Sequence, residues 1–255
     1  MSLDAFVQRW SQGWRGPALA ALIALLAGLP GVFAMPPLDR DESRFAQATA
    51  QMLESGDFVV IRFQDAPRFK KPVGIHWLQA AAVTVVSSPE AREIWAYRLP
   101  SLLGAMLAAA ACVWGARTFF GGETALFAGA ILGSTLLLST EAFIAKTDAV
   151  LCGAVTLAMA ALARIYAQRF RTTGRFERLM FWLAISLATL VKGPVGPMVV
   201  ALAVIMLTVW DRRAGWLRNI GWGWGVILFA AICGPWAVAF TTATDGTFWS
   251  TTLIN

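Results

Sequence analysis

The chain has 255 residues, of which 58% are hydrophobic and only 14% are charged. Soluble domains carry roughly 25% charged residues, so this composition excludes an ordinary soluble domain and indicates a membrane protein. The apolar stretches approach the length of membrane-spanning helices and do not fit the short alternating strands of a β-barrel. The net charge of +6 is not evidence of nucleic-acid binding, because the basic residues lie between the apolar stretches.

Seven apolar segments are predicted to cross the membrane as helices. They are residues 17–35, 94–119, 124–140, 149–167, the two parts of 179–210 on either side of KGPVGP (192–197), and 220–240. The fifth segment, 179–191, is short for an upright span, since crossing the hydrocarbon takes about 20 residues. We therefore predict an all-α, polytopic membrane protein with about seven transmembrane helices and a long polar first loop at 36–93.

The distribution of arginines between the loops predicts the orientation. Arg9 and Arg15 precede the first apolar segment, which lacks an A-x-A-like cleavage site and is expected to stay as a helix. With seven spans, the side holding the N-terminus carries a net positive charge, which is typical of the cytoplasm. The first loop, the turn TEAFIAKTD (140–148) and the KGPVGP break then share the external face. In a bacterium this is the periplasmic face of the inner membrane.

The first loop begins with a predicted amphipathic helix at 40–54. Asp39-x-x-Glu42 has capping-box spacing, with Asp39 as the N-cap, and Ser55-Gly56 is a helix stop. Apolar or small residues recur on one helical face at Phe45, Ala48, Thr49, Met52 and Leu53. Such a helix is expected to lie along the membrane surface.

Two charged pairs in this loop allow two interpretations each. Asp41 and Arg44 are neighbours on one helix face, so they form either a surface ion pair or part of a phosphate site. Lys70 and Lys71 either anchor the loop to anionic lipid headgroups or bind a phosphate, and Pro72 opens a second apolar helix at 73–87. His76 lies within that apolar stretch, which favours a packing or interfacial role over catalysis.

Further charges lie at the other external turns. Glu141, Lys146 and Asp148 lie between the third and fourth spans, and Lys192 lies at the Pro/Gly break. Ionisable residues at such depths are costly and usually functional. Because the predicted topology puts all of them on the face that carries Asp41, we expect them to converge.

Five motifs, in order along the chain, resemble the membrane glycosyltransferases of the type-C fold. They are DESR (41–44), SGD (55–57), KKPVGIHW (70–77), KTD (146–148) and VKG (191–193). The sequence is most similar to the aminoarabinose-to-lipid A transferases and to the broader protein-mannosyltransferase-like clan. The resemblance covers nearly the whole chain.

The resemblance implies transfer of a sugar from a polyprenyl-phosphate donor to a lipid, glycan or protein acceptor outside the cytoplasm, with inversion at the anomeric carbon. By motif match, Asp41 and Asp148 are the candidate catalytic residues and the candidate ligands of a divalent metal cation, the only cofactor expected. Arg44, Lys71 and Lys192 are the candidate ligands of the donor phosphate, and Glu42 and Lys70 are expected to support the site. The alternative from another class is a non-catalytic transporter or assembly subunit for lipid-linked sugars.

Two departures from the family pattern bear on this expectation. The aminoarabinose enzymes commonly have Glu-Lys-Pro where this chain has Lys70-Lys71-Pro72, and the extra positive charge could alter donor or acceptor binding. Relatives also continue beyond the position that corresponds to Asn255. Residues 1–255 are therefore expected to be the N-terminal part of a single glycosyltransferase module, which alone could be inactive.

Overall fold

The computed structural model describes residues 3–37, 40–68, 70–170 and 174–244, and this part of the chain is almost entirely helical. Its α-helices are α1 (Leu3–Trp10), α2 (Arg15–Ala34), α3 (Arg40–Ser55), α4 (Gly74–Val86), α5 (Ile94–Ala116), α6 (Gly122–Ser134), α7 (Leu136–Ala142), α8 (Asp148–Ala167), α9 (Arg175–Lys192), α10 (Val195–Asp211) and α11 (Trp222–Ala243). A 3₁₀ helix, Gly215–Ile220, precedes α11. The strands β1 (Arg62–Phe63) and β2 (Ala66–Pro67) form a small antiparallel hairpin. The all-α prediction is confirmed.

Each of the seven predicted spans corresponds to a helix or to a bent helix pair. Among the described residues, α2, α5, α8 and α11 are long and apolar enough to cross a membrane, and α6 with α7 can form a fifth, bent span. The remaining two predicted spans correspond to α9, with 18 residues and charges near both ends, and to α10, with 17 residues. The protein is thus a multi-pass helical membrane protein.

The third predicted span, 124–140, is not one straight helix. Thr135 has an extended backbone between α6 and α7, and the two helices are bent by 58°. The hydroxyl of Thr135 donates a hydrogen bond to the carbonyl oxygen of Leu132 at 2.9 Å. This bond satisfies a carbonyl at the end of α6, and apolar length alone did not reveal the break.

The fifth span is longer than its apolar run. Helix α9 begins at Arg175 instead of residue 179 and ends at Lys192, so it is about 27 Å long. Gly193 then adopts a φ of +63°, a conformation that glycine reaches without a steric penalty, and α10 starts at Val195. The predicted Pro/Gly break is confirmed. The charged first turn of α9 lengthens the helix beyond the apolar segment 179–191.

Helix α5 packs between α2 and α8 in the centre of the bundle. It runs antiparallel to α2, because Arg98 near its start contacts the end of α2 while Arg117 after its end contacts Gly13, just before α2. It runs parallel to α8 and approaches it closely, since a Cβ atom on Gly104 would lie 2.6 Å from the Cα atom of Val150. Small residues that let helix backbones meet are typical of membrane bundles.

This alternation of direction gives the bundle two distinct ends. We call the end that holds α3, α4, the start of α8 and the α9–α10 break the first-loop end. The opposite end holds the starts of α2 and α9 and the ends of α5 and α8. The convergence of the three external turns, expected from the sequence, is therefore present in the structure.

The first loop folds onto the bundle through its two helices. Helix α3 has the predicted amphipathic character and ends where expected, with the amide of Gly56 bonded to the carbonyl oxygen of Met52. Phe45 of α3 and Ile75 of α4 are buried against Val150 of α8 and Val191 of α9. The predicted N-cap, Asp39, lies outside the described residues.

Candidate functional site

The first turns of α3 present Asp41 and Arg44 at the edge of the first-loop end. The Arg44 Nη1 and Asp41 Oδ1 atoms are 3.7 Å apart, and the side chain of Asp41 is 51% exposed. An ion pair this open contributes little to stability, since solvent screens it. Both side chains are therefore exposed enough to contact a ligand as well as each other.

Lys71 connects three elements at this end of the molecule. Its Nζ atom donates to Thr147 Oγ1 at 3.4 Å and lies 5.3 Å from the centre of the Phe45 ring. Burial lowers the pKa of Lys71, and the positive charge of Lys192 lowers it further. The carboxylates of Asp148 and Asp41 act in the other direction. Lys71 is therefore within electrostatic reach of both predicted catalytic aspartates.

Asp148 begins α8 and lies between two lysines. One carboxylate oxygen accepts a hydrogen bond from Lys192, the last residue of α9, and the other is 3.8 Å from the Nζ atom of Lys146. Lys146 also pairs with Glu141 at 3.1 Å. The α9–α10 break thus delivers Lys192 to Asp148, which joins two residues that the sequence placed in separate motifs.

Arg68 belongs to the same cluster and was not singled out from the sequence. Its guanidinium lies 5.4 Å from the ring centre of Phe45 and 5.9 Å from that of Phe63. Burial lowers its pKa, the charge of Asp41 opposes that shift, and Arg44 adds to it. Arg68, Arg44 and Lys70 line a groove of about 260 Å³ beside the β1–β2 hairpin. The signal in the sequence was a third cation two residues before the lysine pair.

Glu42 points away from this open cluster into a buried ion pair with Arg98. Arg98 Nε and Nη2 donate to the two carboxylate oxygens of Glu42 at 2.8 and 3.1 Å, and both side chains are 1% exposed. The amide of Ala145 donates to Glu42 Oε1 at 2.9 Å, and Arg98 Nη1 donates to the carbonyl oxygens of Val32 and Met35. Glu42 therefore joins α3 to α5, to the end of α2 and to the turn before α8.

The sequence predicted Glu42 as a capping-box residue and did not predict Arg98. In the structure both carboxylate oxygens of Glu42 bind groups from other elements, a role set by tertiary contacts instead of by the helix start. A charged residue near the start of an apolar helix was the available signal for Arg98, because such residues are expensive unless they are paired.

His76 is buried behind Phe45. Its Nδ1 atom is 2.8 Å from Thr49 Oγ1, and Thr49 donates to Gln79 at 2.7 Å. Burial lowers the pKa of His76 to about 3, with a smaller contribution from the charge of Arg68. A neutral, enclosed imidazole agrees with the packing role that its apolar setting favoured.

The carboxylates do not form a cation site. Asp148 is bound by Lys192 and approached by Lys146, and Asp41 lies beside Arg44. Within the described ranges, no group of three or more His, Cys, Asp or Glu side chains is placed to hold a metal ion. Because the oxygens that would bind a divalent cation face ammonium and guanidinium groups, these residues do not fit the expected metal.

The sequence of this chain is similar to those of several known membrane enzymes. A protein of Pseudomonas aeruginosa (strain LESB58), the undecaprenyl phosphate-alpha-4-amino-4-deoxy-L-arabinose arabinosyl transferase, is 26% identical over 227 residues, which are 86% of this chain and 40% of that protein. Its counterpart from Pectobacterium atrosepticum is 27% identical over 242 residues, which cover 92% and 41%. The chain thus spans about two fifths of the length of these relatives.

Solved structures show the same fold. The crystal structure of ArnT from Cupriavidus metallidurans bound to undecaprenyl phosphate matches with a TM-score of 0.79 at 24% sequence identity. The apo structure of that protein gives a TM-score of 0.78 at the same identity. Each match covers 89% of this chain and 42% of the matched chain.

The family model of dolichyl-phosphate-mannose-protein mannosyltransferases matches residues 70–238, well over half of the chain. This range contains the lysines, Asp148 and both helices of the α9–α10 break, and the first-loop helix precedes it. The chain therefore belongs to the dolichyl-phosphate-mannose-protein mannosyltransferase family.

Proposed function

We propose that this chain is the N-terminal part of a membrane glycosyltransferase that transfers a sugar from a polyprenyl-phosphate donor to a lipid, glycan or protein acceptor. The observation that carries the proposal is the cluster at the first-loop end. There, two aspartates and several cations from four separate elements converge at the end of the spans, where the phosphate of a membrane-embedded lipid lies. The named activity of the arabinosyl transferase relatives and the bound lipid phosphate of the matched crystal structure support it.

The cations are suited to the leaving group of such a reaction. When the acceptor oxygen bonds to the anomeric carbon, the bond from that carbon to the phosphate oxygen breaks, and the electron pair leaves with the polyprenyl phosphate. Positive charge fixed beside that oxygen stabilises the charge as it develops. We assign this role to Arg44, Lys71 and Lys192, with Lys70 at the groove edge. Attack from the face opposite the phosphate inverts the anomeric carbon.

Asp41 is assigned to the acceptor side, and Asp148 to the positioning of a donor-side lysine. A hydroxyl acceptor loses its proton as it attacks, and the open carboxylate of Asp41 can take that proton or orient the hydroxyl. A phosphate acceptor has no such proton to lose, and Asp41 would then act only by positioning Arg44, with which it pairs. Asp148 holds Lys192 in place, and Glu42 fixes the first turn of α3 through Arg98.

The proposed location is the bacterial inner membrane, with the N-terminus in the cytoplasm and the first-loop end in the periplasm. The arginine-rich loops at the opposite end support this orientation. A transporter would be expected to line a path through the spans with charges, whereas the predicted site residues gather at one end. The geometry therefore favours transfer over transport.

The test is transfer of radiolabelled sugar from polyprenyl phosphate to cell-envelope acceptors, in membranes that carry the protein expressed from its natural gene. Asp41→Asn is expected to lower the rate by about 10²- to 10⁴-fold, the range for loss of an acid–base group. Lys71→Ala is expected to lower it as well, and both proteins should accumulate normally. Glu54→Gln, a carboxylate at the far end of the same helix, is the matched control and should transfer at the wild-type rate. Unchanged transfer in both site variants would refute the assignment.

A further inference from the structure

A second cavity lies at the opposite end of the bundle, away from the proposed transfer site. It is a groove of about 500 Å³ between the starts of α2 and α9 and the ends of α5 and α8. Its walls are mostly apolar, and the lining residues of the helix interiors include Leu107, Ala110, Leu157 and Met180. A groove of this size and character can hold acyl chains.

Two arginines, Arg117 and Arg164, also line the groove. Arg164 lies 5.0 Å from the ring centre of Trp114, and its Nε atom is 3.4 Å from Glu177. Its two terminal nitrogens make no hydrogen bond to any residue that the structure describes. The terminal nitrogens of Arg117 donate to the carbonyl oxygens of Gly13 and Ser11.

The described residues place one carboxylate, Glu177, beside these two guanidinium groups. The Nε atom of Arg117 is buried and has no acceptor within the described part of the chain. Both guanidinium groups line the same groove, where their like charges repel each other. Glu177 is the carboxylate that the structure places on Arg164, at one edge of its guanidinium. An anion bound at the rim would offset the charge of both guanidinium groups and accept hydrogen bonds from the terminal nitrogens of Arg164.

The aromatic residues of the groove place its rim at the level of lipid headgroups. Trp14, the residue before α2, is 76% exposed, and Phe176 in the first turn of α9 is 57% exposed. Tryptophan at the ends of membrane helices is typical of the interface between hydrocarbon and water. The apolar walls therefore lie at the depth of the acyl chains of a phospholipid, and the arginines at the rim lie at the depth of its phosphate.

We propose that this groove binds an anionic glycerophospholipid, with an acyl chain along the apolar walls and the phosphodiester at Arg117 and Arg164. A zwitterionic phospholipid carries its own cation, which would face two guanidinium groups. Free phosphate would satisfy the arginines but leave the apolar walls unfilled. The site is separate from the proposed donor site, since the two lie at opposite ends of the bundle.

Photoaffinity labelling of the protein, expressed from its natural gene and held in nanodiscs, tests the site. The probes are phosphatidylglycerol and phosphatidylcholine, each with a photoreactive group in an acyl chain, at equal mole fraction. Labelled peptides are mapped by mass spectrometry. We expect phosphatidylglycerol to label the groove segments of α5, α8 and α9 about five-fold more than phosphatidylcholine, the effect of roughly one basic residue on an anionic lipid.

Four variants sharpen the result. Arg164→Gln should abolish the preference for phosphatidylglycerol, while Arg164→Lys should retain it. Ala110→Phe, which fills the groove and keeps both arginines, should lower labelling by either lipid. Arg212→Gln removes an exposed arginine at the same end and should change nothing. Equal labelling by the two lipids, labelling that is insensitive to Ala110→Phe, complete competition by millimolar inorganic phosphate, or a groove that labels with neither lipid would each overturn the proposal.

Discussion

The two faces of α3 show how one short helix serves both structure and chemistry. On its buried face, Glu42 binds Arg98, and both side chains are 1% exposed. On its open face, Asp41 pairs with Arg44 at 3.7 Å and is half exposed. The two acidic residues are adjacent in the chain, yet water screens one and is excluded from the other. An acid–arginine pair in a sequence therefore says little about its role until burial is known.

The largest expected effect lies on the buried face. Arg98→Met would leave the carboxylate of Glu42 buried without its cation and would free the carbonyl oxygens at the end of α2. Breaking a buried ion pair typically costs about 3–5 kcal/mol, so the protein is expected to unfold far below the wild-type temperature. Thermal unfolding in detergent measures the change.

Arg92→Met is the matched control for Arg98→Met. Arg92 pairs with Glu54 at 2.5 Å, but the two side chains are 52% and 44% exposed. An exposed pair contributes about 0–1 kcal/mol, so this variant should remain close to the wild type. If Arg98→Met and Arg92→Met lower the unfolding temperature equally, then burial does not make the Glu42–Arg98 pair more important to stability than the exposed pair.

A smaller effect is expected from His76, also on the buried side. Its pKa in the folded protein is about 3, against 6.5 in the unfolded chain, so the unfolded chain takes up the proton first as the pH falls. Its contribution to stability is complete above pH 6.5 and is lost progressively between pH 6.5 and 3. At pH 5 the loss is about 2 kcal/mol.

His76→Gln tests this pH dependence, because His76 is the only histidine of the chain. The variant is expected to be less stable than the wild type at pH 7 and to lose less stability on acidification to pH 5. Unfolding temperatures at the two pH values measure both quantities. If wild type and variant lose the same stability on acidification, the imidazole is not enclosed as the structure describes.

The smallest effect concerns the open side and appears in a pH profile. Burial and the charge of Lys192 lower the pKa of Lys71, so its ammonium group loses its proton at a lower pH than an ordinary lysine. The value of kcat/KM for the donor should therefore decline early on the alkaline side. Lys71→Arg keeps the charge to much higher pH and should move this decline upward.

Lys70→Arg is the control for this profile. Lys70 is adjacent and exposed, and its replacement should leave the alkaline decline where the wild type has it. The measurement is the rate of sugar transfer at subsaturating donor from neutral to alkaline pH. An identical decline in wild type and Lys71→Arg would mean that Lys71 does not carry the charge that holds the phosphate.

Much of the helical scaffold could be predicted from the sequence. Each of the seven predicted apolar segments coincides with a helix or a bent helix pair, the recurrence of apolar residues on one face located α3, and the Pro/Gly run marked the break after α9. The bend at Thr135 was missed, because the apolar run continues across it and the residue types there do not mark a helix end. The early start of α9 was also missed, since its first turn is charged and was interpreted as loop.

The candidate site followed from the sequence less completely. Asp41, Arg44, Lys71, Asp148 and Lys192 were predicted as separate charges on one face, and the structure brings them together at the first-loop end. Arg68 escaped notice because its importance comes from the rings of Phe45 and Phe63, which only the fold places beside it. The expected metal does not fit, since Asp148 is bonded by Lys192 from a distant part of the chain and approached by Lys146 of its own turn.

The sequence by itself determined that the protein is helical, crosses a membrane several times and carries its clustered charges in particular turns. These properties depend on local composition and spacing, because the hydrocarbon interior requires long apolar helices whatever surrounds them. The tertiary structure decided which charges are buried and which stay open. Burial and electrostatic reach depend on contacts between residues far apart in the chain, such as Glu42 with Arg98 and Asp148 with Lys192.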